Sequence, residues 1–126
     1  MGSKGHIWVC EDEKLVRSTL RRVLEMNGYQ VSTDNPTPDT LQALLLRPFD
    51  VLITDIVMPG VGGLELIRAS RKIRPGLGIV AISGGSRDLP AAPALQASLA
   101  MGAGETLFKP FSNKELLSAV ARVFPQ

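Results

Sequence analysis

Apolar residues in this chain gather in five short runs, and between the runs they recur every three or four positions. The runs at residues 7–10, 51–54 and 79–82 are near-continuous, as strands buried on both faces read, while those at 29–33 and 105–108 are weaker. Residues 13–27 place Leu15, Val16, Thr19, Leu20, Val23 and Leu24 at helical spacing, with Arg17, Arg21, Arg22 and Glu25 on the other face. Asn27-Gly28 closes that helix as a left-handed cap. Thr37-Pro38-Asp39 combines an N-cap, a first-turn proline and a first-turn acid, and starts a short second helix with Leu41, Leu44 and Leu45 inward, ending near Arg47-Pro48. A third helix spans 64–73 and stops at Arg74-Pro75-Gly76. An alanine-rich fourth spans 91–101 and stops at Gly102. Ser112-Asn113-Lys114-Glu115 is a capping box, opening a last helix with Leu116, Leu117, Val120, Ala121 and Phe124 inward. Strand and helix thus alternate along the whole chain. That order predicts a parallel sheet covered on both faces by right-handed crossovers, a three-layer α/β sandwich of five strands and five helices.

The ends of the strands carry the chemistry. Glu11 and Asp12 follow the first strand, Asp55 ends the third, Ser83 the fourth and Lys109 the fifth. Parallel strands point one way, so these side chains share the rim at which open α/β sheets bind ligands. Three carboxylates brought together repel one another unless neutralised, and a set of oxygen ligands suits a hard cation such as Mg²⁺. A metal clamp, an ammonium and a hydroxyl around one carboxylate are the parts of phosphoryl transfer, with Asp55 the nucleophile that forms an acyl phosphate and Lys109 and Ser83 holding phosphoryl oxygens. Each residue alone has an ordinary reading: acids favour helix N-termini, serine opens loops, lysine is usually solvated. Their joint placement is what points to a site.

Composition narrows the class. A chain of 126 residues forms one domain, 1–126, since single domains most often run about 100–150 residues. Residues 1–5 have loop composition and read as disordered or as a cloning remnant. Apolar residues make up 44% and charged residues 21%, no run approaches the length of a membrane span, and no signal-peptide pattern opens the chain. The expectation is a cytoplasmic protein without membrane contact. Cys10, the single cysteine, reads as a small buried hydrophobe. Fourteen basic residues against twelve acidic ones give +2, but they are scattered, and the aromatics are one Trp, one Tyr and four Phe. Such a pattern argues against direct nucleic-acid binding.

The set Glu11-Asp12-Glu13, the run from Asp55 through Met58-Pro59-Gly60 to Gly63-Leu64-Glu65-Leu66, Ser83, and Lys109-Pro110-Phe111 resembles the receiver domain of bacterial two-component response regulators. The resemblance extends from about Ile7 to Phe124. It implies a flavodoxin-like fold with strand order 2-1-3-4-5, and an Asp55 that accepts a phosphoryl group from a histidine kinase or histidine phosphotransferase. It further implies Mg²⁺ held by Asp12, Asp55 and the backbone carbonyl of Val57, with Glu11 acting through water. Ser83 and Lys109 then contact the phosphoryl oxygens, and Lys109-Pro110 is cis. Phosphorylation is expected to change a surface around the fourth helix, fifth strand and fifth helix that a downstream protein reads, in a monomer or a weak phosphorylation-dependent dimer. The chain also departs from the pattern. Thr106 stands where an aromatic is usual, three residues before the lysine, and Val57 and Gly85 stand at positions that border the attacking water, implying a phosphorylated lifetime set by backbone mobility.

A phosphatase or phosphotransferase with a turnover nucleophile would need a second carboxylate two residues after Asp55, and Val57 is there. A flavin or nucleotide binder would need a glycine or hydroxyl loop after the first strand, where acids stand. The expectation is therefore a phosphoacceptor with at most slow self-dephosphorylation.

Overall fold

The computed structural model describes residues 4–34, 47–56, 62–84 and 91–125, the side chains of 91–95 excepted. Five parallel strands, β1 (His6–Cys10), β2 (Gln30–Asp34), β3 (Val51–Asp55), β4 (Gly78–Ser83) and β5 (Glu105–Phe108), form one sheet in the order β2-β1-β3-β4-β5. That is the flavodoxin-like order. Four helices are described: α1 (Lys14–Met26), α2 (Gly63–Ile73), α3 (Ala91–Met101) and α4 (Asn113–Val123). The helix expected from Thr37 onward lies outside the described residues.

The strand period of two splits every apolar run between two cores. Ile7, Val9, Val51, Ile53, Val80, Ile82 and Leu107 point to one face, where they meet Leu20 and Leu24 of α1 and Leu116, Ala119 and Val120 of α4. Trp8, Cys10, Leu52, Ile79 and Ala81 point to the other, against Leu66 and Ile67 of α2. The sheet is thus buried on both sides. Register follows the same logic: Cys10 lies beside Thr54, Thr54 beside Ala81, and Ser83 beside Phe108. Trp8, the largest buried side chain, packs edge-on against Phe49 at 5.0 Å between centroids and donates its indole N–H to Asp34 at 2.6 Å.

Helix ends follow local chemistry. After α1, Gly28 takes a positive φ of 96°, its amide donates to the carbonyl of Glu25 at 3.1 Å, and the Tyr29 amide reaches that of Leu24 at 3.2 Å. This pair of bonds is the Schellman closure that Asn27-Gly28 predicts. Gly102 ends α3 in the same way, with the Ala103 amide bonded to the Ser98 carbonyl at 2.9 Å. The capping box at α4 has both bonds, Glu115 amide to Ser112 Oγ at 3.0 Å and Ser112 amide to Glu115 Oε1 at 3.1 Å. Three inward expectations are corrected. Thr19 and Ala121 are exposed, the inner face of α4 passing through Leu116, Ala119 and Val120 instead. Leu15 is 79% exposed, because the core stripe of α1 runs through Leu20 and Leu24 and position 15 falls off it in the first turn.

Candidate functional site

Three strands deliver three charged groups to one point. Glu11 leaves β1, Asp55 ends β3, and Lys109 follows β5. The Lys109 ammonium donates to Asp55 Oδ2 at 2.6 Å and to Glu11 Oε2 at 3.3 Å. Both acids are almost wholly buried, while Lys109 keeps about a fifth of its side chain exposed at the rim. Burial alone would lower the lysine's pKa, but the hydrogen bond and charge of Asp55, with Glu11 behind them, outweigh it and hold the pKa above its ordinary value. Glu11 shows the opposite balance. Burial and the charge of Asp55 push its carboxyl up to about 7, although the Glu13 amide and Lys109 oppose the shift. Two carboxylates share one ammonium, which leaves room for further positive charge.

The backbone around the acids is tied down by residues that hydrophobic patterning does not mark. Arg17 reaches back from α1 and donates through Nη1 to the carbonyls of Glu11 at 2.7 Å and Asp12 at 3.4 Å. Glu11 Oε1 accepts the Glu13 amide at 3.2 Å, so this acid serves both the site and the start of α1. Thr54 donates its hydroxyl to the Asp55 carbonyl at 2.9 Å. On the far side, the α2 N-terminus comes so close that a Cβ on Gly63 would sit 2.0 Å from the Asp55 carbonyl oxygen.

The other expected residues fall as follows. Asp12 is half-buried and follows directly on Glu11 past the end of β1. Ser83 is fully buried at the end of β4, and its carbonyl accepts the Lys109 amide at 3.0 Å. The Lys109-Pro110 bond is cis. Val57 and Gly85 lie outside the described residues. Thr106 is half-buried on the sheet face it shares with Ser83 and Phe108. Phe108, directly across from Ser83, is 54% exposed, an aromatic that the reading of strand ends passes over because it looks like one more core residue. Cys10 is buried, and burial with the nearby charge of Asp34 pushes its thiol far up, which makes it an inert core group. Among the described residues, no group of three or more His, Cys, Asp or Glu side chains is gathered closely enough to enclose a metal alone. No described helix is long and apolar enough to cross a membrane.

Comparison with known proteins decides the family, since residues 7–121 match the response regulator receiver domain. The chain belongs to that family. The transcriptional regulator NtrC of Azospirillum brasilense is 36% identical over 120 residues, covering 95% of this chain and 24% of the relative. The response regulator MprA of Mycobacterium leprae is 34% identical over 114 residues, 90% of this chain and 48% of the relative. Receivers of this family take up a phosphoryl group on an aspartate and bind Mg²⁺ at that site. The beryllofluoride-activated NtrC4 receiver domain dimer superposes with a TM-score of 0.81 at 28% identity, covering 94% of this receiver and 95% of that one. The receiver spans about a quarter to a half of the curated relatives it matches.

Proposed function

We propose that this receiver takes its phosphoryl group on Asp55 from a phosphohistidine of a histidine kinase or histidine phosphotransferase. One observation carries the assignment: Asp55 is the acid bonded most closely to the rim ammonium, at 2.6 Å, with Glu11 beside it. In the transfer, a carboxylate oxygen of Asp55 bonds to phosphorus as the phosphorus–nitrogen bond breaks, and the imidazole leaves with the electron pair and takes up a proton. Lys109 then turns from a partner of the bare carboxylate into one of the new phosphoryl oxygens, and Ser83 supplies a hydroxyl on the adjoining strand. Mg²⁺ commonly uses one or two carboxylates with water and phosphate oxygens, which suits a donor set of Glu11, Asp12, Asp55 and the Val57 carbonyl. When bound, it neutralises the charge that gathers on the transferred group.

Val57 offers no second carboxylate to activate water, so hydrolysis of the acyl phosphate is slow and the protein acts as a switch, not as a turnover enzyme. The added charge changes the surface around α3, β5 and α4, where a downstream protein or a second receiver binds, without direct contact to nucleic acid. The expected setting is the cytoplasm.

Intact mass after incubation with acetyl phosphate and Mg²⁺ tests the assignment. One phosphoryl group should be added, and it should be lost in Asp55→Asn and with a chelator. An adduct that persists in Asp55→Asn would place the acceptor elsewhere. A second measurement concerns Arg17. Arg17→Met removes the donor that fixes the Glu11 and Asp12 carbonyls, and should weaken Mg²⁺ several-fold by calorimetry while costing about 1 kcal/mol of stability, the scale of one ordinary hydrogen bond.

A further inference from the structure

Thr54 is fully buried in β3, between the aliphatic run Val51-Leu52-Ile53 and Asp55. Its side chain lies on the sheet face opposite to that of Asp55, in the layer of Cys10 and Ala81. Valine would fill that space equally well, and a buried hydroxyl is costly unless it is hydrogen-bonded. Among the described residues, the Thr54 hydroxyl donates to the carbonyl of the next residue, Asp55, at 2.9 Å.

The peptide that carries this carbonyl is held from two other directions. The Ile56 amide donates to the Ile82 carbonyl of β4 at 3.0 Å. The first turn of α2 lies against it, so close that a Cβ on Gly63 would sit 2.0 Å from the Asp55 carbonyl oxygen, and the Gly63 amide anchors the next peptide by donating to the Ile56 carbonyl at 3.2 Å. Strand pairing, helix contact and hydroxyl together fix the plane of the 55–56 peptide. The direction in which the Asp55 carboxylate leaves the backbone is set by that plane. From it the carboxylate meets Lys109.

We infer that Thr54 is a positioning residue for phosphoryl transfer, its hydroxyl holding the Asp55 carbonyl so that the carboxylate is aimed at the incoming phosphorus. The inference rests on Asp55 as the acceptor. Without the hydroxyl, the carbonyl seeks another donor, the peptide tilts, and the carboxylate moves off line. Misplacement on the ångström scale costs up to about a hundredfold in reactions that depend on alignment.

The test compares wild type, Thr54→Val and Thr54→Ser, with the rate of adduct formation from acetyl phosphate measured at saturating Mg²⁺. Thr54→Val should fall about tenfold and Thr54→Ser should return to within about threefold of wild type. The carbonyl ¹³C resonance of Asp55 should move upfield in Thr54→Val and stay in place in Thr54→Ser, a signature that packing alone would not produce. A wild-type rate in Thr54→Val, or a Thr54→Ser as slow as Thr54→Val, overturns the role of the hydroxyl and leaves Asp55 as acceptor intact. If Thr54→Val proves unstable, Thr54→Ala, which also lacks the hydroxyl, takes its place with the same expected rate and resonance. Failure of wild type to form an adduct on Asp55 would remove the acceptor, and the inference with it.

Discussion

In a chelator, raising the pH from about 4.5 to about 7 will lower the stability of this receiver by about 3 kcal/mol, and Glu11→Gln will abolish that slope. Glu11 has an ordinary pKa of 4.5 in the unfolded chain and about 7 in the fold, where burial and the charge of Asp55 disfavour its ionised form. Between those values the folded state keeps a proton that the unfolded state has released. Stability from this group is therefore complete below the unfolded value, declines through the window, and is flat above the folded value. Urea unfolding at a series of pH values measures the slope directly. The same proton must leave when a cation is held by the acids, so Mg²⁺ affinity should weaken as the pH falls below about 7, with close to one proton released per ion. A metal-free stability profile that is flat across the window would show that Lys109 neutralises both acids unaided.

Gly63→Ala will destabilise the fold by about 3 kcal/mol or more and slow phosphorylation at the same time, whereas Gly62→Ala will change stability by less than about 1 kcal/mol. A Cβ at position 63 would lie 2.0 Å from the Asp55 carbonyl oxygen and 2.7 Å from the Ile56 Cα, and both atoms belong to the backbone. No rotamer can relieve the contact. Either the α2 N-terminus lifts away or the end of β3 bends, and each disturbs the acceptor. At position 62 the added carbon meets nothing within 4 Å, and φ is −69°, where any residue is comfortable. Thermal unfolding of the two variants, with adduct formation from acetyl phosphate, separates them. Equal and small effects would mean that the helix approaches Asp55 more loosely than the contact implies.

Much of this was legible in the sequence because the determinants are local. Apolar runs mark buried strands wherever they occur, and β5 and α3 fall on the residues where the pattern places them. Gly28 and Ser112 act through bonds to neighbours a few positions away, so the caps could be read as motifs. The strand order came only through resemblance, since nothing in an apolar run says which strand will lie beside it. The acids, hydroxyl and lysine were visible as strand-end residues. What holds them was not: Arg17 and Thr54 act on carbonyls, and a backbone oxygen leaves no mark in a sequence. The demand for glycine at position 63 left no local mark, because a close approach between chain segments is a property of three dimensions. Leu15 misled for a related reason, since helical spacing defines a stripe but not where along it the core ends.

The two ends of the described fold meet. Gly5 lies against the ring of Phe124, Phe124 stacks at a tilt on Tyr29 with 5.9 Å between centroids, and the Lys4 ammonium sits 5.6 Å from the centre of the same tyrosine. This cluster is at the pole where the strands begin, and the acids are at the pole where they end. Tension applied through both ends would therefore act between neighbouring points on one side of the molecule. The strands would not be drawn apart along their length, and the geometry around Asp55 would be mechanically insulated from the attachment.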